Sequence, residues 1–400
     1  MIIINAIILA GALYITLSTV YLLILTLAAY GFKKTTPKAS SPVKMAVVVP
    51  AHNESLGIET TVRSVQNSQH PSELITTLVI ADNCDDDTAI LAESAGAYVF
   101  ERNDTENRGK GQALDWLFSV HRDEFKVFEA VVIIDADTLL HPAFLSEIAS
   151  SLSCDNVKAV QGYYGVANPE DNWRTALASA ALNVFHHLRP AGRNRIGGTA
   201  GLRGNGMAFK AEIIARYGWP CHSIVEDIEF SMRLLLDDIS VCYNPDAIVY
   251  GEMATERKQA ETQRKRWEGG RSQMLKMFAW PLLKAFFTKG GVRWIDSLME
   301  LVTPPLSLLI FGQIIFFTAA GIMHPQLWPV LLIFFLIIPF YVISGLVLKK
   351  APFYIWKCLL AAPFFMLWKI PIYLRIISSK DDKKWERTLR KGEADVKRDE

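Results

Sequence analysis

Residues 1–32 contain no Asp, Glu, Lys or Arg, and neither do residues 301–348. Uncharged runs this long exceed the roughly 20 apolar residues that a helix needs to cross a bilayer. The chain is therefore expected to be an integral membrane protein. The second run breaks at "GIMHPQ", which divides it into spans near 301–321 and 327–348. The first lacks a positive leader and is longer than the ~7–15-residue apolar core of a secretory signal, so it reads as an uncleaved anchor. Lys33, Lys34, Lys38 and Lys44 follow it, and Lys349 and Lys350 follow the later spans. Basic flanks mark the cytoplasmic side, which puts the intervening domain there, at the cell inner membrane. A last apolar segment, 351–377, is long enough to span. It carries Lys357, Lys369, Arg375, Pro363 and Pro371, and these charges suit a helix lying in the interface better.

The remaining chain divides by composition. Residues 1–32 form the anchor, 33–44 a polar linker, and 45–270 a folded domain. Residues 271–300 are expected to form amphipathic interface helices, 301–348 two spans, 349–379 an interfacial or third C-terminal transmembrane helix, and 380–400 a charged tail. A formal net charge of +1 provides no basic field for nucleic acid, which is excluded as a partner. The five cysteines are odd in number and lack paired metal-type spacing, so neither a disulfide framework nor a zinc site is indicated.

From residue 45 short apolar runs alternate with helical stretches. "MAVVVPAHNE" reads as a strand ending in a loop, "LITTLVIADN", "AYVFER" and "FEAVVIIDADT" as strands, and "ETTVRSVQNS", "DDDTAILAESAG" and "KGQALDWLFSVHRD" as helices between them. Continuous Val/Ile strands separated by helices predict an α/β fold with a mostly parallel sheet covered on both faces. In such sheets ligands sit beyond the carboxyl ends of the strands.

Several residues at those ends carry chemistry. Asp82 follows the second strand, and Asp135 and Asp137 close the fourth as D-x-D. Two carboxylates one residue apart meet one cation only if the chain turns between them. Hard oxygen donors of this kind suit Mg2+ or Mn2+, although Asp residues also serve plain turns. Asp85, Asp86 and Asp87 read as favourable charges at a helix start. Lys110 opens a helix after a Gly-bearing loop, an arrangement that suits a diphosphate or a solvated surface equally. "GLRGNG" brings three glycines around Asn205, which marks a sharp turn or a close backbone approach. Glu226 and Asp227 occupy the first turn of another helix, as caps or as a general base. "QAETQRKRWEGGR" places Gln263, Arg266 and Trp267 at offsets of three and four, on one face if helical.

Taken in order, Pro50-x-x-Asn53-Glu54, Asp82, the D-x-D of Asp135 and Asp137, the pair Glu226-Asp227 and the Q-x-x-R-W of Gln263, Arg266 and Trp267 resemble the inverting, GT-A-fold family 2 glycosyltransferases. The likeness is greatest to the membrane-embedded branch with cellulose, chitin and hyaluronan synthases and the nodulation chitooligosaccharide synthases, and it covers about residues 45–300. It implies a Rossmann-like, mostly parallel sheet and a UDP-sugar donor. The nucleotide pocket would be lined by Pro50, His52 and Glu54, with Asp82 on the uracil. Lys110 would face the diphosphate, Asp137 with Asp135 nearby would hold Mg2+ or Mn2+, and Asp227 would be the general base. Gln263 and Arg266 would hold the diphosphate, while Trp267, Glu226, Asn205 and Gly206 would meet the acceptor. The implied product is a β-linked exopolysaccharide or oligosaccharide; a single sugar added to a lipid acceptor is the alternative. Val225 stands before the E-D pair where many polymer synthases have Thr. The small membrane part implies an oligomer or export partner, or else a short or lipid-linked product.

Overall fold

The computed structural model describes residues 2–35, 42–253 and 257–378, except for the side chains of 2, 257–268 and 372–378. The chain opens with helix α1 (Ile2–Tyr30), followed by β1 (Met45–Ala51), α2 (Ile58–Gln66), β2 (Ile75–Asp82), α3 (Thr88–Ser94), β3 (Tyr98–Arg102), α4 (Lys110–Val120) and β4 (Ala130–Ile133). Then come β5 (Thr138–Leu140), α5 (Phe144–Leu152), β6 (Ala159–Val166), α6 (Trp173–Leu182), α7 (Arg189–Arg195), β7 (Met207–Lys210), α8 (Ala211–Tyr217), α9 (Glu226–Leu236) and β8 (Val241–Gly251). The rest is helical: α10 (Arg257–Lys289), α11 (Val292–Val302), α12 (Leu306–Gly312), α13 (Thr318–Met323), α14 (Trp328–Leu348), α15 (Phe353–Cys358) and α16 (Ala362–Ser378). Described residues of 33–178 and 199–270 form one compact unit, and those of 1–32, 179–198 and 271–380 another. Residues 179–198 thus lie inside the sheet-bearing segment in sequence and in the helical unit in space.

The first unit is built on an eight-stranded sheet of order β3-β2-β1-β4-β7-β6-β8-β5. β3, β2, β1 and β4 run parallel, as their Val/Ile blocks predict. β7 then enters antiparallel between β4 and β6, β8 pairs parallel with β6, and β5 closes the edge antiparallel to β8. The sheet is thus mixed in its second half. Met45, Val47, Val49 and Ala51 join a core with α2 residues Ile58, Val62 and Val65 and α5 residues Leu145 and Ile148. Alternate residues Ala46 and Val48, equally inaccessible, point to the opposite face. Residues buried on both faces explain why β1 has no polar alternation.

In the helical unit, α1 and α7 approach closely. A Cβ at Gly192 would strike the backbone of Leu25, so only glycine permits this contact. Buried ionic pairs tie the helices together. Arg193 Nε donates to Asp296 Oδ2 at 2.9 Å, and Tyr21 Oη donates to Asp296 Oδ1 at 2.9 Å. Arg189 reaches the Tyr341 hydroxyl at 2.5 Å and Glu300 at 3.3 Å. Among the described residues, four helical stretches are long and apolar enough to cross a membrane: Ile3–Tyr30, Leu306–Met323, Pro325–Leu348 and Phe353–Pro371. The last falls in the segment whose charges suit an interfacial helix. Its Phe353, Leu360 and Phe364 are exposed.

Candidate active site

Parallel pairing brings the carboxyl ends of β1, β2, β3 and β4 to one edge, and the polar residues after them gather there. Ala51 pairs with Ala81, and Asp82 with Arg102. Arg102 is 5% exposed and donates to Asp82 Oδ1 at 2.6 Å. The same guanidinium bonds Asp104 at 2.9 Å and the Asn107 carbonyl at 2.8 Å, ordering the loop that leads to Lys110. Burial raises the Asp82 pKa above its ordinary value, although the Arg102 charge opposes the shift. His52 Nδ1 lies 2.7 Å from the Asp82 carbonyl, which joins the β1 and β2 ends. Pro50 is the next-to-last residue of β1, and the Glu54 N–H donates to Thr88 Oγ1 at 2.7 Å. Asp86 is more than a helix-start charge: it accepts from the Ser55 and Thr88 N–H groups at 3.1 and 3.0 Å. It thereby fastens the loop after β1 to that after β2.

The second cluster centres on Lys110. Its ammonium group donates to Asp135 Oδ1 at 2.5 Å and to the Gly204 carbonyl. Burial alone would lower its pKa, but Asp135, Glu226 and Asp227 together raise it, so the side chain stays cationic. Gly204 has φ +80, and a Cβ there would lie 3.4 Å from Asp227 Oδ2; the base candidate therefore rests against bare backbone. Asp227 and Glu226 begin α9. A Cβ on Gly111 would sit 3.2 Å from the Glu226 Cβ, which fixes the start of α9 against α4. Burial pushes the Asp227 pKa up, while N–H groups of its own helical turn, Lys110 and Arg203 restrain the rise.

The chain does turn within the D-x-D. β4 ends at Ile133, and the Thr138 N–H returns to the Asp135 carbonyl at 3.2 Å. Both carboxylates thus belong to one tight turn at the sheet edge. Among the described residues no group of three or more His, Cys, Asp and Glu side chains forms a cage for a metal. Two hard carboxylates without a cage fit a small divalent ion that completes its shell with phosphate oxygens and water. Asn205 is fully buried, and its amide accepts from the Asp135 N–H at 3.2 Å and donates to Thr138 Oγ1 at 2.8 Å. Gly206 is also enclosed, since a Cβ there would press on Val249. Asn205 thus supports the D-x-D turn from behind. Gln263, Arg266 and Trp267 belong to α10, but their side chains lie outside those described.

Sequence reasoning missed Arg102 and Arg203. Only the Arg at the end of "AYVFER", the register partner of Asp82, could have signalled the first. The brackets around Asp135 are likewise invisible in sequence, because Asn205 comes 70 residues later.

A family model described as glycosyltransferase like family 2 matches residues 42–270, more than half of the chain. The chain belongs to this family. A beta-monoglucosyldiacylglycerol synthase from Trichormus variabilis is 31% identical over 245 residues, covering 58% of this chain and 50% of that protein. A poly-beta-1,6-N-acetyl-D-glucosamine synthase from Staphylococcus epidermidis is 26% identical over 247 residues, covering 60% of this chain and 57% of that one. The family 2 chain spans about half the length of the curated relatives it matches. A mannosyltransferase from Pyrobaculum calidifontis, solved with GDP-Man and Mn2+, aligns with a TM-score of 0.53 at 17% identity. The match covers 86% of this chain and 97% of that one, and the shared fold is GT-A.

Proposed function

We propose that this glycosyltransferase moves a sugar from a UDP-sugar to an acceptor hydroxyl, with inversion at the anomeric carbon, on the cytoplasmic side of the cell inner membrane. One observation carries the reading: Lys110, Asp135 and Asp227 converge around the Gly204 backbone at the carboxyl edge of the sheet. That edge is where α/β sheets bind ligands.

Asp82, held by Arg102, would accept the uracil N–H, with Pro50, His52 and Glu54 walling the nucleotide. Lys110 would neutralise the diphosphate as it departs. Asp137, with Asp135 beside it, would hold Mg2+ or Mn2+, which supplies positive charge to the leaving group. Asp227 would take the proton of the acceptor hydroxyl as that oxygen attacks the anomeric carbon. A raised pKa suits this task, because a stronger base takes the proton more readily. A single displacement turns an α-linked donor into a β-linked product. Trp267 would give the acceptor sugar a flat apolar face, with Glu226 at its polar edge and Gln263 and Arg266 on the diphosphate.

Two acceptors fit. A growing β-linked saccharide is supported by the poly-N-acetylglucosamine synthase relative, and would require an oligomer or an export partner. A membrane lipid is supported by the glucosyldiacylglycerol synthases, two of them at higher identity, and by the helices able to keep such an acceptor at hand. Purified protein incubated with radiolabelled UDP-sugars, divalent ion and either diacylglycerol or oligosaccharide decides between them. A product ladder supports the saccharide, one glycolipid supports the lipid, and no transfer from any donor overturns the whole reading.

A further inference from the structure

Gln161 lies in β6 with no exposed surface. A buried primary amide is costly unless its donors and acceptor are satisfied. Gln161 spends most of them on one loop. Its Oε1 accepts the Arg203 N–H at 2.8 Å, and its Nε2 donates to the Asn205 carbonyl at 2.8 Å and to the Gly162 carbonyl at 3.0 Å. It thereby grips residues 203–205 at both ends. The gripped loop holds glycines at φ +73, +80 and +67 at positions 201, 204 and 206, a backbone with little intrinsic preference for one shape. Three groups of the site take their positions from it. Lys110 bonds the Gly204 carbonyl, Asp227 rests on Gly204, and the Asp135 N–H bonds the Asn205 amide, itself anchored on Thr138.

We infer that Gln161 is a positioning residue for transfer, acting through the 203–206 loop and the Asn205–Thr138 pair to fix Lys110, Asp135 and Asp227 relative to one another. The inference rests on the proposed transfer reaction. Gln161 makes no hydrogen bond to Pro50, His52, Glu54 or Asp82, which wall the base end of the nucleotide, so its loss falls mainly on turnover, with a smaller effect on UDP held through Lys110 and the metal. A methionine here keeps the volume but removes every hydrogen bond to the loop. A glutamate keeps the shape and the acceptor but loses the donor to Asn205.

The test compares wild type, Gln161→Met and Gln161→Glu in the UDP-sugar assay, with UDP affinity by calorimetry and thermal unfolding measured on the same preparations. Misplacement of reacting groups by a remote change costs up to about 100-fold. The expected result is therefore a kcat lowered about 10- to 100-fold, with donor KM and UDP affinity within about threefold of wild type. If both Gln161 variants fail to fold, Thr138→Val, which removes only the hydroxyl behind Asn205, replaces them; about a threefold fall in kcat at unchanged UDP affinity is then expected. Unchanged kcat in a folded Gln161 variant, or in Thr138→Val if that stands in, overturns the inference. So does UDP affinity falling in parallel with kcat. Absence of transfer by the wild-type protein with every donor refutes the reaction itself, and is told apart by the wild-type arm.

Discussion

At the scale of single residues, the site is a set of strand-end and helix-start groups whose charges are balanced by buried partners. Asp227 is the most exacting of them. Replacing it with Asn keeps size and packing but removes the proton acceptor, so kcat should fall by about 100-fold or more, while UDP affinity stays near wild type. Substantial residual transfer would remove Asp227 from the base role. Its pKa is shifted upward by burial against the restraint of its helical turn, Lys110 and Arg203. A base works only when ionised, so transfer should be lost as pH falls through that raised value. The acid limb of kcat should then lie above the ordinary Asp range of about 3.9; a limb at or below that value would contradict the geometry. Arg102 shows what the sequence concealed. An arginine at the end of a short strand reads as a solvated charge, but here it is buried against Asp82. Removing one member of such a pair costs about 3–5 kcal/mol because the other is left uncompensated. Arg102→Met should therefore lower the unfolding temperature and raise donor KM together.

At the scale of elements, the first half of the sheet was legible and the second was not. β1, β2 and β4 are Val/Ile-rich strands separated by helices, so the local pattern alone marks them as strands of a parallel sheet. β7 has four residues and β5 three, too short for any periodicity, and both pair with strands far away in sequence. The carboxylates after β2 and β4 could be read as site residues because strand ends are where polar groups converge. The side chains that brace them from behind, Asn205 and Gln161, resemble ordinary core amides in sequence. Similarly, Arg189 and Arg193 suggest a surface helix, yet α7 is enclosed with α1, α11 and α14 because Asp296, Glu300 and two tyrosines pair with them. Asp296 and Arg193 are almost fully inaccessible. Asp296→Ala should destabilise the helical unit by about 3–5 kcal/mol, read by thermal unfolding in detergent, whereas replacing both Arg193 and Asp296 with apolar residues should cost much less. Equal losses in the two variants would show that the pair does not act as a unit.

At the scale of the whole molecule, a GT-A sheet unit and a unit of apolar helices occur in one chain, and the proposed transfer belongs to the first. The proposed reaction is one in-line displacement, by the groups around Gly204, on a metal-bound sugar nucleotide. The most direct measurement is the stereochemistry of transfer: purified protein with an α-linked UDP-sugar, Mg2+ or Mn2+ and acceptor, and the anomeric configuration of the product read by NMR, with Asp227→Asn as the blank. A β-linked product is expected from the wild-type protein and none from the variant. An α-linked product, or transfer that persists in Asp227→Asn, would contradict it.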